Sequence, residues 1–149
     1  MAQRLRREIT KLHEEELPAG VLDINLYRDN WTRIGLNPKL GSTKIPFSID
    51  DRIIILVDDV LFPGRTIRPA LDASIDFGRP QKVEQAVLVG RGEKQREVQV
   101  KANYVAKEWE TSGNETITVY FKEEGFGDQV AAEEKKGELG IRGASWFQQ

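Results

Sequence analysis

The sequence predicts an α/β fold built on parallel strands, and three features predict it. Ile53–Val57 is an unbroken apolar run rich in β-branched residues, the pattern of a strand buried on both faces of a parallel sheet. Ile67, Ala70, Leu71 and Ile75 then recur at helical spacing, and Val83–Val89 is a second buried-type strand. Strand, helix and strand from Ile53 to Val89 make one βαβ unit, with parallel strands and a right-handed crossover.

The elements follow in order. Leu5, Ile9 and Leu12 fall at i, i+4 and i+7 with charge on the opposite face, so Arg4–Glu16 is a helix candidate that Pro18 and Gly20 end. Val21–Tyr27 alternates, with Leu22, Ile24 and Leu26 on one face, and reads as a strand. Arg28–Lys44 carries scattered Asn, Gly, Pro and Ser without a period. Loops this long in a small domain are commonly functional or mobile. Ile45–Ile49 is a short extension, and Asp50-Asp51 turns the chain into the central strand. Pro69 fits the following helix only near its first turn, Gly78 suits its end, and Pro80 is a stop signal. Gly90–Lys101 is charged and glycine-bearing. Thr116–Lys122 alternates again, with Ile117, Val119 and Phe121 on one face. Val130–Gln149 shows no period and is expected to be a flexible tail, after a domain spanning residues 1–129.

The chemistry gathers after the central strand. Asp58 and Asp59 stand at its carboxyl end, the edge where open α/β sheets hold ligands. Pro63-Gly64-Arg65-Thr66 then turns into the helix, which aims backbone N–H groups at one point and suits a phosphate. Two acids beside an anion cradle fit a ligand with both hydroxyls and a phosphate, such as a ribose 5-phosphate. Taken alone, the acids fit a solvated strand end equally well.

Composition sets bounds. A net charge of −2 confines any nucleic-acid site to a local patch. There is no cysteine, which excludes disulfides and thiolate metal sites. His13 sits beside Glu14, Glu15 and Glu16 and reads as part of a solvated helix face, not a zinc ligand. No apolar run approaches ~18 residues and the basic N-terminus lacks an apolar segment, so the expected address is cytoplasmic.

The string from Ile54 to Thr66 resembles the phosphoribosyl-pyrophosphate motif of type I phosphoribosyltransferases, matching at Ile54–Val57, Asp58, Asp59, Val60, Leu61, Gly64, Arg65 and Thr66. Further segments resemble the PyrR-type family of pyrimidine operon attenuation proteins, which are also uracil phosphoribosyltransferases. These are Leu22–Asp29, Asp76–Pro80, Ala86–Val89 and Asn103–Val105. The resemblance implies a doubly wound, mostly parallel sheet of the type I phosphoribosyltransferase kind, with a small antiparallel element near the C-terminus. It implies binding of UMP, uracil, phosphoribosyl pyrophosphate and pyrimidine leader RNA, a homo-oligomer, and Mg2+ bridged by phosphoribosyl pyrophosphate. Asp58 and Asp59 would take the ribose hydroxyls. Leu61, Phe62, Pro63, Gly64, Arg65 and Thr66 would hold the 5′-phosphate. Arg28 would join Asp58 and Asp59 in catalysis, opening a loop that closes over pyrophosphate. Arg96, Lys101 and Lys107 would face RNA.

Three departures from the family pattern accompany these matches. The family's first strand, its pyrophosphate loop and the preceding helix have no counterpart, so the expectation is a longer gene product or a truncated or decayed copy. Pro63 stands where the family has a hydroxyl residue. The family's "DRGHRELPIR" corresponds to Gly90–Lys101, which is two residues longer and lacks the acid and the proline. The expectation is a regulator with impaired transferase activity. The alternative is a nucleotide-sensing remnant with neither RNA binding nor catalysis.

Overall fold

The computed structural model describes residues 1–24, 43–61, 67–91, 102–112 and 114–134. Its centre is a parallel sheet of β1 (Ile53–Val60), β2 (Lys82–Arg91) and β3 (Tyr104–Trp109), in that order. Ile53 pairs with Lys82 and Val60 with Val89, and Ala86 pairs with Tyr104 and Arg91 with Trp109. Helix α2 (Ile67–Ile75) connects β1 to β2, which completes the βαβ unit. It buries Ile67, Pro69, Ala70, Ala73 and Ser74, and the Ser74 hydroxyl donates to the Ala70 carbonyl at 2.6 Å. Pro69 lies in the first turn of the described helix, where a missing N–H costs nothing.

The second layer is the antiparallel hairpin of β4 (Glu115–Tyr120) and β5 (Gln129–Glu134), turned through a short 3-10 segment at Lys122–Glu124. Val60 and Val89 pack with Ile117, Val119 and Val130, so the core joins the carboxyl ends of β1 and β2 to the hairpin. A second cluster holds Leu61, Val87 and Ala102, with Val105 against it.

Four expectations change. Residues 130–134, read as the start of a tail, are strand: Val130 is buried against Val119 and supplies the inward-facing side chain that makes the hairpin's core. Helix α1 (Ala2–His13) ends well before Pro18, with Glu14 left-handed at φ 56 and its N–H on the Thr10 carbonyl. Consecutive acids at Glu14–Glu16 oppose the negative end of a helix, which accounts for the early stop. In the described part of Val21–Tyr27, only Val21 pairs, exchanging two 2.8 Å bonds with Lys44. Alternation supplies a face but not a ladder partner, and the Asp23 N–H goes to Thr43 Oγ1 at 3.0 Å instead. Finally, β1 is not buried on both faces: Ile53 is 58% and Ile55 45% exposed. An apolar run reports a tendency to be covered, and no described element covers the amino-terminal half of that face.

Candidate functional site

The three parallel strands all end at one edge, and β1 brings its acids there. Asp58 and Asp59 lie inside the strand, followed only by Val60. As consecutive strand residues their side chains leave opposite faces of the sheet. Each is half-buried, and each carboxylate accepts the next backbone N–H: Asp59 N–H to Asp58 Oδ1 at 3.0 Å, Val60 N–H to Asp59 Oδ1 at 2.8 Å. These bonds hold both carboxylates close to the backbone at the strand's exit.

That exit is firmly anchored. Val60 is 1% exposed in the hairpin core, and Leu61 continues the ladder by donating its N–H to the Val89 carbonyl at 2.9 Å. The chain resumes at buried Ile67, the first residue of α2. Buried residues thus pin both ends of the turn expected to cradle phosphate. Phe62, Pro63, Gly64, Arg65 and Thr66 themselves lie outside the described residues, as do Arg28, Arg96 and Lys101. Lys107 is exposed on β3, where it pairs in register with Val89. Of the expected residues, the described ones at the carboxyl edge are therefore Asp58, Asp59, Leu61 and Lys107.

Two residues at this edge escape periodicity-based reading. Arg91, at the end of β2, is 7% exposed. Its Nη2 donates to Thr111 Oγ1 at 3.0 Å and to the Glu115 carbonyl at 2.7 Å, and its Nε to Thr111 Oγ1 at 3.3 Å. A buried guanidinium bonded in this way ties the end of β2 to the approach of β4. Gly90 precedes it, in register with Glu108 of β3. A glycine inside a strand signals a close approach by another group.

The other charged groupings lie elsewhere. At the amino edge of the sheet, Glu84 takes Lys82 Nζ at 2.6 Å and the Tyr104 hydroxyl at 2.7 Å. The Lys82 bond, then the Tyr104 bond, holds the Glu84 carboxyl below its usual range. A groove between α1 and the hairpin is lined by Arg4, Arg7, Glu8, Lys122, Glu123 and Asp128, several of them already paired with one another. Among the described residues no cluster of three or more His, Cys, Asp or Glu is arranged to hold a metal. No described helix is long and apolar enough to cross a membrane.

Residues 1–120 match the phosphoribosyl transferase domain family. The chain is 47% identical over 137 residues to the bifunctional protein PyrR of Thermus aquaticus, covering 92% of this chain and 75% of that protein. It is 46% identical over 134 residues to the Syntrophobacter fumaroxidans PyrR, covering 90% and 71%. A solved hypoxanthine-guanine phosphoribosyltransferase from Bacillus anthracis overlaps 54% of this chain and 46% of its own, at 23% identity and a TM-score of 0.42. The family match over residues 1–120 and the two PyrR relatives decide the matter: the chain belongs to the phosphoribosyl transferase domain family, and within it to the PyrR proteins.

Proposed function

We propose that the chain is a PyrR-like cytoplasmic regulator of pyrimidine biosynthesis genes that binds UMP, phosphoribosyl pyrophosphate and leader RNA. The chemistry of its family is transfer of a phosphoribosyl group to uracil. One observation carries the reading. The strand bearing Asp58 and Asp59 ends at the carboxyl edge of a parallel sheet, and the chain on either side of residues 62–66 is anchored at Leu61 and Ile67. Carboxylates accept hydrogen bonds from ribose hydroxyls, and backbone N–H groups at a helix start donate to phosphate oxygens. The finer assignment gives Asp58 and Asp59 the ribose, Leu61–Thr66 the 5′-phosphate and Arg28 the pyrophosphate.

In the transfer reaction, uracil N1 bonds to the ribose C1′ and gives up its proton to solvent as pyrophosphate leaves with the bonding pair. Positioning and charge stabilisation supply the acceleration. Mg2+, when bound with the substrate, would supply charge neutralisation at pyrophosphate. It usually keeps its waters and takes few protein ligands, which suits two acids leaving opposite faces of one strand. Asp58 or Asp59 would meet such an ion through substrate oxygens. Pro63 removes one donor from the cradle, so turnover is expected to lag behind binding. The homo-oligomer remains part of this proposal.

Calorimetric titration with UMP tests the reading. Saturable binding that falls at least tenfold in Asp58→Asn/Asp59→Asn supports it. A folded chain that binds neither UMP nor phosphoribosyl pyrophosphate overturns it.

A further inference from the structure

The side-chain space of residue 90 is already occupied. A Cβ at Gly90 would lie 2.8 Å from Glu108 Oε2, 3.0 Å from Glu108 Cδ and 2.9 Å from Val105 Cγ1. A carboxylate carried by β3 therefore sits over the glycine of β2, its partner in register. Both residues are at the carboxyl edge, shared with Asp58 and Asp59. Next to them, buried Arg91 is fixed by Thr111 and the Glu115 carbonyl, which makes the end of β2 beneath the carboxylate a firm support. Glu108 thus delivers a carboxylate into the space beside Gly90 from the neighbouring strand.

We propose that Glu108 is a specificity-determining residue that reads the nucleotide's base by accepting a ring N–H. The proposal deepens the nucleotide-binding reading above and rests on it. An ionised carboxylate can only accept. A uracil ring offers an imide N–H between two carbonyls. A cytosine ring offers a bare nitrogen acceptor at the same position, which leaves two acceptors facing each other. Glu108 therefore favours uracil-type over cytosine-type bases. Gln at 108 removes this selection, because an amide can donate as well as accept.

The test is calorimetric titration of the full chain with UMP, CMP and ribose 5-phosphate, with thermal unfolding to show that each variant folds. Glu108→Gln is expected to weaken UMP by about tenfold or more, the loss of one charge-assisted hydrogen bond. It should also narrow or reverse the preference for UMP over CMP and leave ribose 5-phosphate unchanged. Gly90→Asp should destabilise the fold, because its Cβ meets the Glu108 carboxylate. A Glu108→Gln variant that keeps the parent's UMP-to-CMP ratio overturns the assignment, as does a parent that binds UMP no more tightly than ribose 5-phosphate. A parent that binds none of the three overturns the nucleotide reading itself.

Discussion

Under the proposed function, Pro63 is the position at which the phosphate cradle loses a donor. An imide nitrogen has no hydrogen to donate, and the proline ring carries no hydroxyl. A hydrogen bond to a charged group contributes ~1.5–3 kcal/mol, so Pro63→Thr should tighten ribose 5-phosphate by roughly tenfold to a few hundredfold. Uracil affinity should stay where it was, and titration of each ligand separately checks the pair. Gly78 shows a different constraint. Its φ is 152°, and a Cβ there would lie 2.7 Å from Asp50 Oδ1 and 2.8 Å from Ile49 Cγ1. That same Asp50 oxygen accepts the Arg79 N–H at 2.7 Å, and Ser48 Oγ donates to the other carboxylate oxygen at 3.1 Å. Gly78→Ala should cost about 1–3 kcal/mol by overpacking, read by thermal unfolding. The Arg79 N–H, then Ser48, holds the Asp50 carboxyl below its usual range. Its contribution to stability is therefore complete above the ordinary carboxylate pKa and fades as pH falls through the lowered one. The sequence marks Gly78 as a helix stop. That it also makes room for a carboxylate from the turn before β1 depends on a contact distant in sequence, which no local pattern encodes.

At the scale of elements, Arg4 ties α1 to the hairpin. No α1 residue is fully buried, and a helix of this length is marginal by itself. Arg4 clasps it to the hairpin, with Nε on Glu123 Oε1 at 2.7 Å, Nη2 bonded to Glu123 and Asp128, and its guanidinium 5.3 Å from the Phe121 ring centroid. Arg4 is the leading cause that holds both partner acids at about 2. Their contribution is present above the ordinary carboxylate pKa, ~4, and is lost as pH falls from there toward 2. Hydrogen exchange should show α1 amides protected at pH 7, less so in Arg4→Ala, and less so in the parent near pH 2 or at high salt. Equal α1 protection in parent and Arg4→Ala would show that something else holds the helix. Elements whose faces carry their own period were legible: β1, α2 and β2 from their apolar patterns, β4 from Ile117 and Val119. β5 was not. Only Val130 of its residues is deeply buried, so its strand state comes from the β4 ladder. β3 is likewise mostly exposed and takes its form from pairing with β2, which explains why Tyr104–Trp109 carries no alternation to read. The same reasoning covers the candidate site: Asp58 and Asp59 announce themselves by following an apolar run, whereas Glu108 acquires its place only when β3 pairs beside Gly90.

For the whole molecule, the issue is how a chain of net charge −2 could hold an anionic RNA. Bulk charge opposes such binding, so attraction has to come from a local set of cations. Lys107 is exposed on β3, close to the end of the parallel sheet where Arg91 and Trp109 pair. Arg96 and Lys101 belong to the segment joining β2 to β3 in the chain, which begins and ends at that sheet. A binding surface of this kind contacts phosphates, and each contact releases counterions, so affinity should fall steeply with added salt. Sequence preference would come from unpaired loop bases, because an A-form stem hides its major-groove edges. Leader-RNA affinity measured across a salt series in the parent and in Arg96→Ala/Lys101→Ala/Lys107→Ala gives the decision. Each lost phosphate contact should flatten the log–log salt slope by about one unit or slightly less and weaken cognate and unrelated stem-loops alike. UMP affinity should be unaffected, since none of the three cations is assigned to the nucleotide. If the triple variant binds leader RNA as tightly as the parent with an unchanged slope, these cations are a solvated face and the RNA surface lies elsewhere on the chain.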